Sequence, residues 1–285
     1  MNKILFLLRR FAYYFYGEKF YKRLNFSWKK KPTRLDIKQI MKIFNYQYWL
    51  RKFLVSKISQ FFLIKIFLLK KNFIRSIIFI SIYKVNHWNK YKKINKNNLQ
   101  VSGPGSDPKS LQIKNLIVDL NKFIKDFQIK SILDMPCGDF IWMKKIIELN
   151  KDLKYTGFDI VGEIIDYNNK KFSSNNIKFL KKDILNEPNF DGHDLIFVRD
   201  FFIHIPTDDI LKNISILAKS NIRFFATTQY QNNPFNKNIV IGQHRKINLS
   251  IEPFNLPKPF MQIIDGNINE GRYLNIYKIN QILKK

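Results

Sequence analysis

The sequence predicts an α/β fold: a sheet of parallel strands with helices on both faces, closed by an antiparallel pair and preceded by a basic helical extension. Three observations carry this reading. From Leu111 onward, short apolar runs alternate with segments of helical period, the pattern of successive β/α units. The stretch Ile129–Met143 (Ile-Lys-Ser-Ile-Leu-Asp-Met-Pro-Cys-Gly-Asp-Phe-Ile-Trp-Met) reads as a strand, a turn and the start of a helix. Finally, acidic residues close one predicted strand after another: Asp134, Asp159 and Asp183.

The first of these turns is the most informative. Pro136 and Gly138 lie in it, Asp134 closes the strand before it and Asp139 opens the helix after it. An α/β fold builds its nucleotide pocket at the carboxyl end of such a strand. A dinucleotide site needs three glycines there, so that backbone amides approach a pyrophosphate. This turn has one glycine, and its two carboxylates would repel a pyrophosphate. They would attract a ligand carrying an ammonium and a sulfonium, so the turn points to S-adenosylmethionine rather than NAD as cofactor.

The remaining elements follow in order. The cluster from Ser102 to Pro108 marks the start of a domain over residues 101–285, and Gly103 and Gly105 read as a loop closing over the cofactor. Ser106 or Asp107 is predicted to cap the next helix, with Pro108 in its first turn. That helix runs to about Phe127, with Leu111, Leu116, Ile117, Leu120 and Ile124 at helical spacing. A helix over Ile141–Leu149 follows the first strand, and a second strand over Leu153–Phe158 ends at Asp159. That acid is placed to accept hydrogen bonds from ribose hydroxyls, with Ile160 beside it. After a helix over Glu163–Phe172 and a strand over Ile177–Leu180, Asp183 is placed to accept from an adenine amino group, with Ile184 against the ring. A fourth strand, Asp194–Val198, leads into Arg199, Asp200 and His204, where an acceptor should meet the cofactor. A helix capped by Thr207 runs to Ala218, and a fifth strand spans Ile222–Thr228. A long polar loop from Gln229 to Lys258 contains His244 and Arg245. Strands Phe260–Ile264 and Tyr273–Ile279 close the sheet as an antiparallel pair.

Composition separates the two parts of the chain. The net charge of +28 over 285 residues is unevenly placed: residues 1–100 hold 24 Lys+Arg against Glu18 and Asp36, a net of +22, and residues 101–285 net only +6. A Lys or Arg interrupts every apolar run in the first part well short of the ~20 residues a membrane span needs. No small-residue cleavage site follows Met1–Tyr16, so a secretory signal peptide is not expected. Two readings of residues 1–100 stand side by side. Basic helices with Phe, Leu, Tyr and Trp on the other face suit an anionic membrane surface. The same pattern also suits a helical cap packed on the catalytic domain. No zinc spacing or RNA-recognition motif accompanies the charge, so nucleic acid is not the expected partner. The single cysteine, Cys137, excludes an internal disulfide and places the chain in a reducing compartment. The expected location is therefore the cytoplasm, peripheral on the inner face of the membrane.

The strand-tip features, Asp134 with Gly138, Asp159, Asp183 and the Arg199–Asp200 segment, resemble in order and spacing the class I S-adenosylmethionine-dependent methyltransferases. The resemblance covers roughly Ser102–Lys285. The Pro-Cys-Gly-Asp turn and the later Tyr-Thr-Gly-Phe-Asp-Ile-Val are similar to a bacterial subgroup associated with surface-glycan modification. The chain keeps only Gly138 of the family's glycine-rich turn. The resemblance implies a Rossmann-like sheet of seven strands, the last two antiparallel, and attack of a nucleophile on the sulfonium methyl. The expected function is methyl transfer to a small-molecule or glycan acceptor, with oxygen as the nucleophile. His204 is the candidate base, oriented by Asp200 if the two lie on one helical face. Arg199, His244 and Arg245 are read as contacts to an anionic acceptor. Two alternatives stand beside this: a nucleic-acid methyltransferase using the basic arm, and an inactive binding protein of the same fold.

Overall fold

The computed structural model describes residues 71–84, 102–186, 190 and 192–282. Readings of the basic segment therefore lie outside the described residues, apart from helix α1 (Lys71–Lys84). The apolar runs of the remainder become β1 (Ser131–Asp134), β2 (Lys154–Asp159), β3 (Ile177–Lys181), β4 (Leu195–Val198), β5 (Phe224–Tyr230), β6 (Met261–Ile264) and β7 (Arg272–Lys278). They form one sheet in the order β3-β2-β1-β4-β5-β7-β6. β1 to β5 are parallel, and β7 runs antiparallel to both β5 and β6. Four consecutive apolar residues in β4, all buried, suit a parallel strand covered on both faces.

Helices α2 (Leu111–Asp126), α3 (Met143–Leu149), α4 (Gly162–Phe172) and α5 (Thr207–Ala218) flank the sheet. In α2 the buried positions Ile113, Leu116, Leu120, Phe123 and Ile124 recur at helical spacing. They share one apolar core with Ile263, Leu274 and Ile276 of the closing strands. Two predicted caps are corrected. Ser110, not Ser106 or Asp107, caps α2, its Oγ accepting from the Ile113 amide at 3.2 Å. Asp107 instead holds the preceding turn by accepting from the Lys109 amide, which leaves Pro108 outside the helix. Thr207 lies inside α5, with Pro206 at the cap, and its amide bonds to the Asn238 side chain. β5 begins and ends two residues later than predicted, because pairing with β7 continues to Tyr230 opposite Arg272.

The connection from β5 to β6 carries no strand or helix of its own, yet Ile239, Ile241, Ile247, Leu249, Phe254 and Leu256 anchor it in the interior. The described residues, α1 included, all fall within one compact unit. Within α1, Ile74, Ile78, Phe79 and Ile82 are buried, and the Phe79 ring lies 6.5 Å from that of Phe201 after β4. Among the described residues no helix is long and apolar enough to cross a membrane.

Gly157 of β2 fixes how closely the first turn sits on the sheet. A Cβ there would come within 2.9 Å of both Cys137 Cβ and Phe179 Cδ1. Gly157→Ala should therefore destabilise the fold by the ~1–3 kcal/mol typical of overpacking, read as a lower urea midpoint at unchanged slope.

Candidate active site at the carboxyl edge of the sheet

A cavity of about 400 Å³ opens where the turn after β1, the loop over residues 102–106 and the segment after β4 converge. That volume falls within the roughly 300–1,000 Å³ of pockets that enclose a small ligand. Gly138 takes φ +52° in the turn, and a Cβ on it would lie 2.5 Å from Ser102 Oγ, so only glycine fits. Ser102 and Asp139 clasp each other: the Ser102 amide donates to Asp139 Oδ2 at 2.9 Å, and the Asp139 amide donates to Ser102 Oγ at 3.0 Å. Gly103 and Gly105 consequently line the cavity beside Pro136, Gly138 and Asp139. Cys137 is buried behind the turn, where burial pushes its thiol pKa well up and leaves it un-ionised.

Asp134 and Asp159 stand at adjacent strand ends and are both buried. Asp134 accepts from the Tyr155 hydroxyl at 2.7 Å. Asp159 accepts from the amides of Val161 (2.9 Å) and Gly138 (3.2 Å), and so braces the first turn. Burial is the largest influence on each, lifting Asp134 to about 7 and Asp159 to about 6 against these stabilising bonds. Such carboxylates hold their charge more readily when a cation or further hydrogen-bond donors arrive.

The segment after β4 is built differently from the sequence-based expectation. Arg199 is buried and bonds Asp265 through Nε (3.0 and 3.2 Å) and Nη2 (2.7 Å), and the Gly105 carbonyl through Nη2 (2.7 Å). Its guanidinium also lies 5.3 Å from the centre of the Trp142 ring. These bonds engage Nε and Nη2, while Nη1 lies 3.5 Å from Asp200 Oδ2 and the residue also lines the cavity. Asp200 takes φ +57° and pairs with Arg272 (2.9 and 3.0 Å). Burial would raise its pKa, but Arg199 and Arg272 bring it down to about 2.

Asp200 and His204 interact electrostatically but do not share a helical face. The residues between them form a short 3₁₀ turn, Phe202–His204, rather than the continuous helix that would put both on one face. The orienting partner is the Gln243 carbonyl, 2.9 Å from His204 Nδ1. A carbonyl only accepts, so Nδ1 carries the hydrogen and Nε2 is the basic nitrogen of the neutral ring. His204 and His244 both line the cavity, with ring centres 5.6 Å apart. Burial lowers the His244 pKa, favouring the neutral form. Arg245 turns inward and donates to the Ile205 carbonyl at 2.8 Å. Burial lowers its pKa to about 10. It is not among the residues that line the cavity, unlike His244.

Asp159, Ile160, Asp183 and Ile184 meet at a separate slot of about 40 Å³, whose other wall is α1. Arg75 of α1 bonds both oxygens of Asp183, with Nε at 3.1 and 3.2 Å and Nη2 on Oδ2. Sequence reading missed Gln243, Asp265, Arg272 and Arg75. Asp265 reads as an ordinary turn acid beside Gly266, and the others fall in a loop, a strand end and a charge run.

No protein-family model and no curated protein matches the chain. Solved structures do resemble it. Human N-acetylserotonin methyltransferase, in complex with S-adenosylmethionine, is 12% identical with a TM-score of 0.47, covering 84% of this chain and 68% of its own. Magnesium protoporphyrin IX methyltransferase of Synechocystis PCC 6803, with bound S-adenosylmethionine, is 14% identical with a TM-score of 0.47, covering 73% and 95%. N-methyltransferase NodS of Bradyrhizobium japonicum WM9 is 14% identical with a TM-score of 0.42, covering 60% and 97%. Likeness at this level assigns no role to any residue of the chain.

Asp265 is wholly buried between Arg199 and Arg272. Asp265→Ala would leave two guanidinium groups short of a partner, and should cost the ~3–5 kcal/mol of breaking a buried ion pair. Chemical unfolding measures it. A cost near that of a surface substitution would show that the cluster is not a constraint on the fold.

Proposed function

We propose that the chain is an S-adenosylmethionine-dependent methyltransferase acting on a small-molecule or glycan acceptor, with oxygen as the nucleophile. The observation that supports this most is the placement of buried carboxylates at successive strand ends, two of them raised to about 7 and about 6. When bound, the cofactor supplies a methyl group on an electrophilic sulfonium. Asp134 and Asp139 would hold its cationic half in the cavity, with Pro136 and the Cβ-less Gly138 giving room for close approach, and Gly103 and Gly105 closing the other side. Asp159 with Ile160 suits the ribose, and Asp183 with Ile184 the adenine.

The acceptor would enter where Asp200, Ile203, His204 and His244 line the same cavity. His204 Nε2 accepts the proton of the acceptor hydroxyl as its oxygen attacks, and the Gln243 carbonyl holds the ring in the tautomer this requires. Arg199 acts through Asp200 and the 102–106 loop rather than on the acceptor. Positioning of this kind supplies up to ~7–11 kcal/mol of a transfer barrier. An anionic membrane surface is the proposed partner of residues 1–100, on the strength of their net +22.

His204→Ala should lower turnover by about 10²–10⁴ while leaving S-adenosylhomocysteine affinity nearly intact by calorimetry. Equal losses of affinity and turnover would return His204 to a structural role. Cofactor affinity should also depend on pH. The free site binds protons at Asp134 and Asp159, and a cationic ligand favours their ionised forms, so binding releases protons. Affinity for S-adenosylmethionine should rise as pH rises through about 6 to 7 and then level off. The dependence should be weaker for S-adenosylhomocysteine, which lacks the sulfonium charge. Affinity flat across this range would remove the two carboxylates from the cofactor's site.

A further inference from the structure

The adenosine end of the proposed site is occupied by the chain itself. Three residues of α1 stand in one row along the helix, at spacing i, i+4 and i+8: Arg75, Phe79 and Tyr83. Each meets the group that would receive one part of an adenosine. The Arg75 guanidinium donates to both oxygens of Asp183, as an exocyclic adenine amino group would. The Phe79 ring lines the slot that also contains Ile160 and Ile184, where a purine would stack. The Tyr83 hydroxyl bonds Ser102 and lies close enough to Asp159 and Asp139 for both to act on its ionisation, in the place of a ribose hydroxyl. Tyr83 is also shared between the slot and the main cavity, where the two halves of the cofactor would join.

What is left of the slot measures about 40 Å³, a tenth of the main cavity of about 400 Å³. A wall of an adenine pocket would leave a purine's width open and the hydrogen-bonding edge of Asp183 available. Here only about 40 Å³ is left beside α1, and both carboxylate oxygens are engaged. We propose that α1 is an intramolecular stand-in for adenosine, so that docked α1 and bound cofactor exclude one another and α1 must leave before the site loads. The inference rests on the cofactor reading given above.

Calorimetry with S-adenosylhomocysteine on the full chain separates the two ideas. Arg75→Ala and Phe79→Ala weaken the docked form and so raise the fraction of competent sites. Both should bind more tightly than the parent chain, by about tenfold if the docked form makes up nine-tenths of it. Unchanged or weaker binding by folded variants overturns the stand-in alone, because the parent chain still binds. Absence of binding by all three chains overturns the stand-in together with the cofactor reading. A second measurement needs no substitution. Adenosine alone, but not methionine, should speed backbone hydrogen exchange across residues 75–84 of the parent chain. Slower or unchanged exchange with adenosine, or an equal response to methionine, overturns the proposal.

Discussion

The guanidinium of Arg199 is buried at the end of β4, with Asp265 against its Nε and Nη2, the Gly105 carbonyl on Nη2 and the Trp142 ring 5.3 Å away. Through these bonds one side chain joins the fourth strand, the loop before α2, the helix-opening turn after β1 and the β6–β7 hairpin. Arg272 doubles the link by pairing with both Asp200 and Asp265, and Gln112 at the start of α2 donates to the Asp265 carbonyl at 2.9 Å. A buried ion pair adds little net stability over a well-packed apolar pair, but removing one partner is costly. The cluster's effect is therefore positional. It sets where the 102–106 loop closes over the cavity, and which way the backbone turns at Asp200.

The carboxylates at this edge divide by the donors they meet. Asp200 and Asp265 face guanidinium groups, and Asp200 stays ionised down to about 2. Asp134 and Asp159 accept instead from neutral donors, the Tyr155 hydroxyl and the amides of Gly138 and Val161. Burial then dominates and lifts them to about 7 and about 6. The first pair meets cationic donors within the chain, and the second meets only neutral ones. That difference, rather than the number of acids, separates the part of the edge that holds the fold from the part that suits a cation.

Legibility in the sequence followed the range of each interaction. The strands were readable because short apolar or alternating runs after Ile129 are separated by turn residues and segments of helical period, and Asp134 and Asp159 were readable as the last residues of two of them. Gly138 was readable because a tight turn needs a residue without a Cβ. The partners were not. Asp265 lies 66 positions from Arg199, and Gln243 lies 39 from His204 in a loop without periodicity. The expectation that Asp200 orients His204 assumed a helix through residues that instead form a 3₁₀ turn, with Asp200 itself at positive φ. Arg199 and Arg245 were read as acceptor contacts, because sequence alone does not tell an accessible guanidinium from a buried one. The cap at Ser110 was missed for a local reason: Ser106 and Asp107 just before it offer the same side-chain acceptor, and backbone geometry chose among the three.

Helix α1 brings the two readings of the basic segment onto one face. An interfacial helix lays apolar and aromatic side chains into a lipid boundary and keeps cations at its edge. The docked α1 uses that set against the sheet: Ile74, Ile78, Phe79 and Ile82 are buried, and Arg75 is drawn onto Asp183. A face so used is not available to a membrane at the same time. On the proposed reading, cap and membrane anchor are alternative placements of the same residues rather than alternative descriptions of the chain. Because the stand-in is covalently tethered, a free ligand competes against a local concentration set by the tether, not by the solution. A surface that favours the undocked placement would lower that competition without touching the cofactor. Linkage then runs both ways, since whatever draws α1 from the slot favours adenosine there, and adenosine in the slot favours α1 elsewhere.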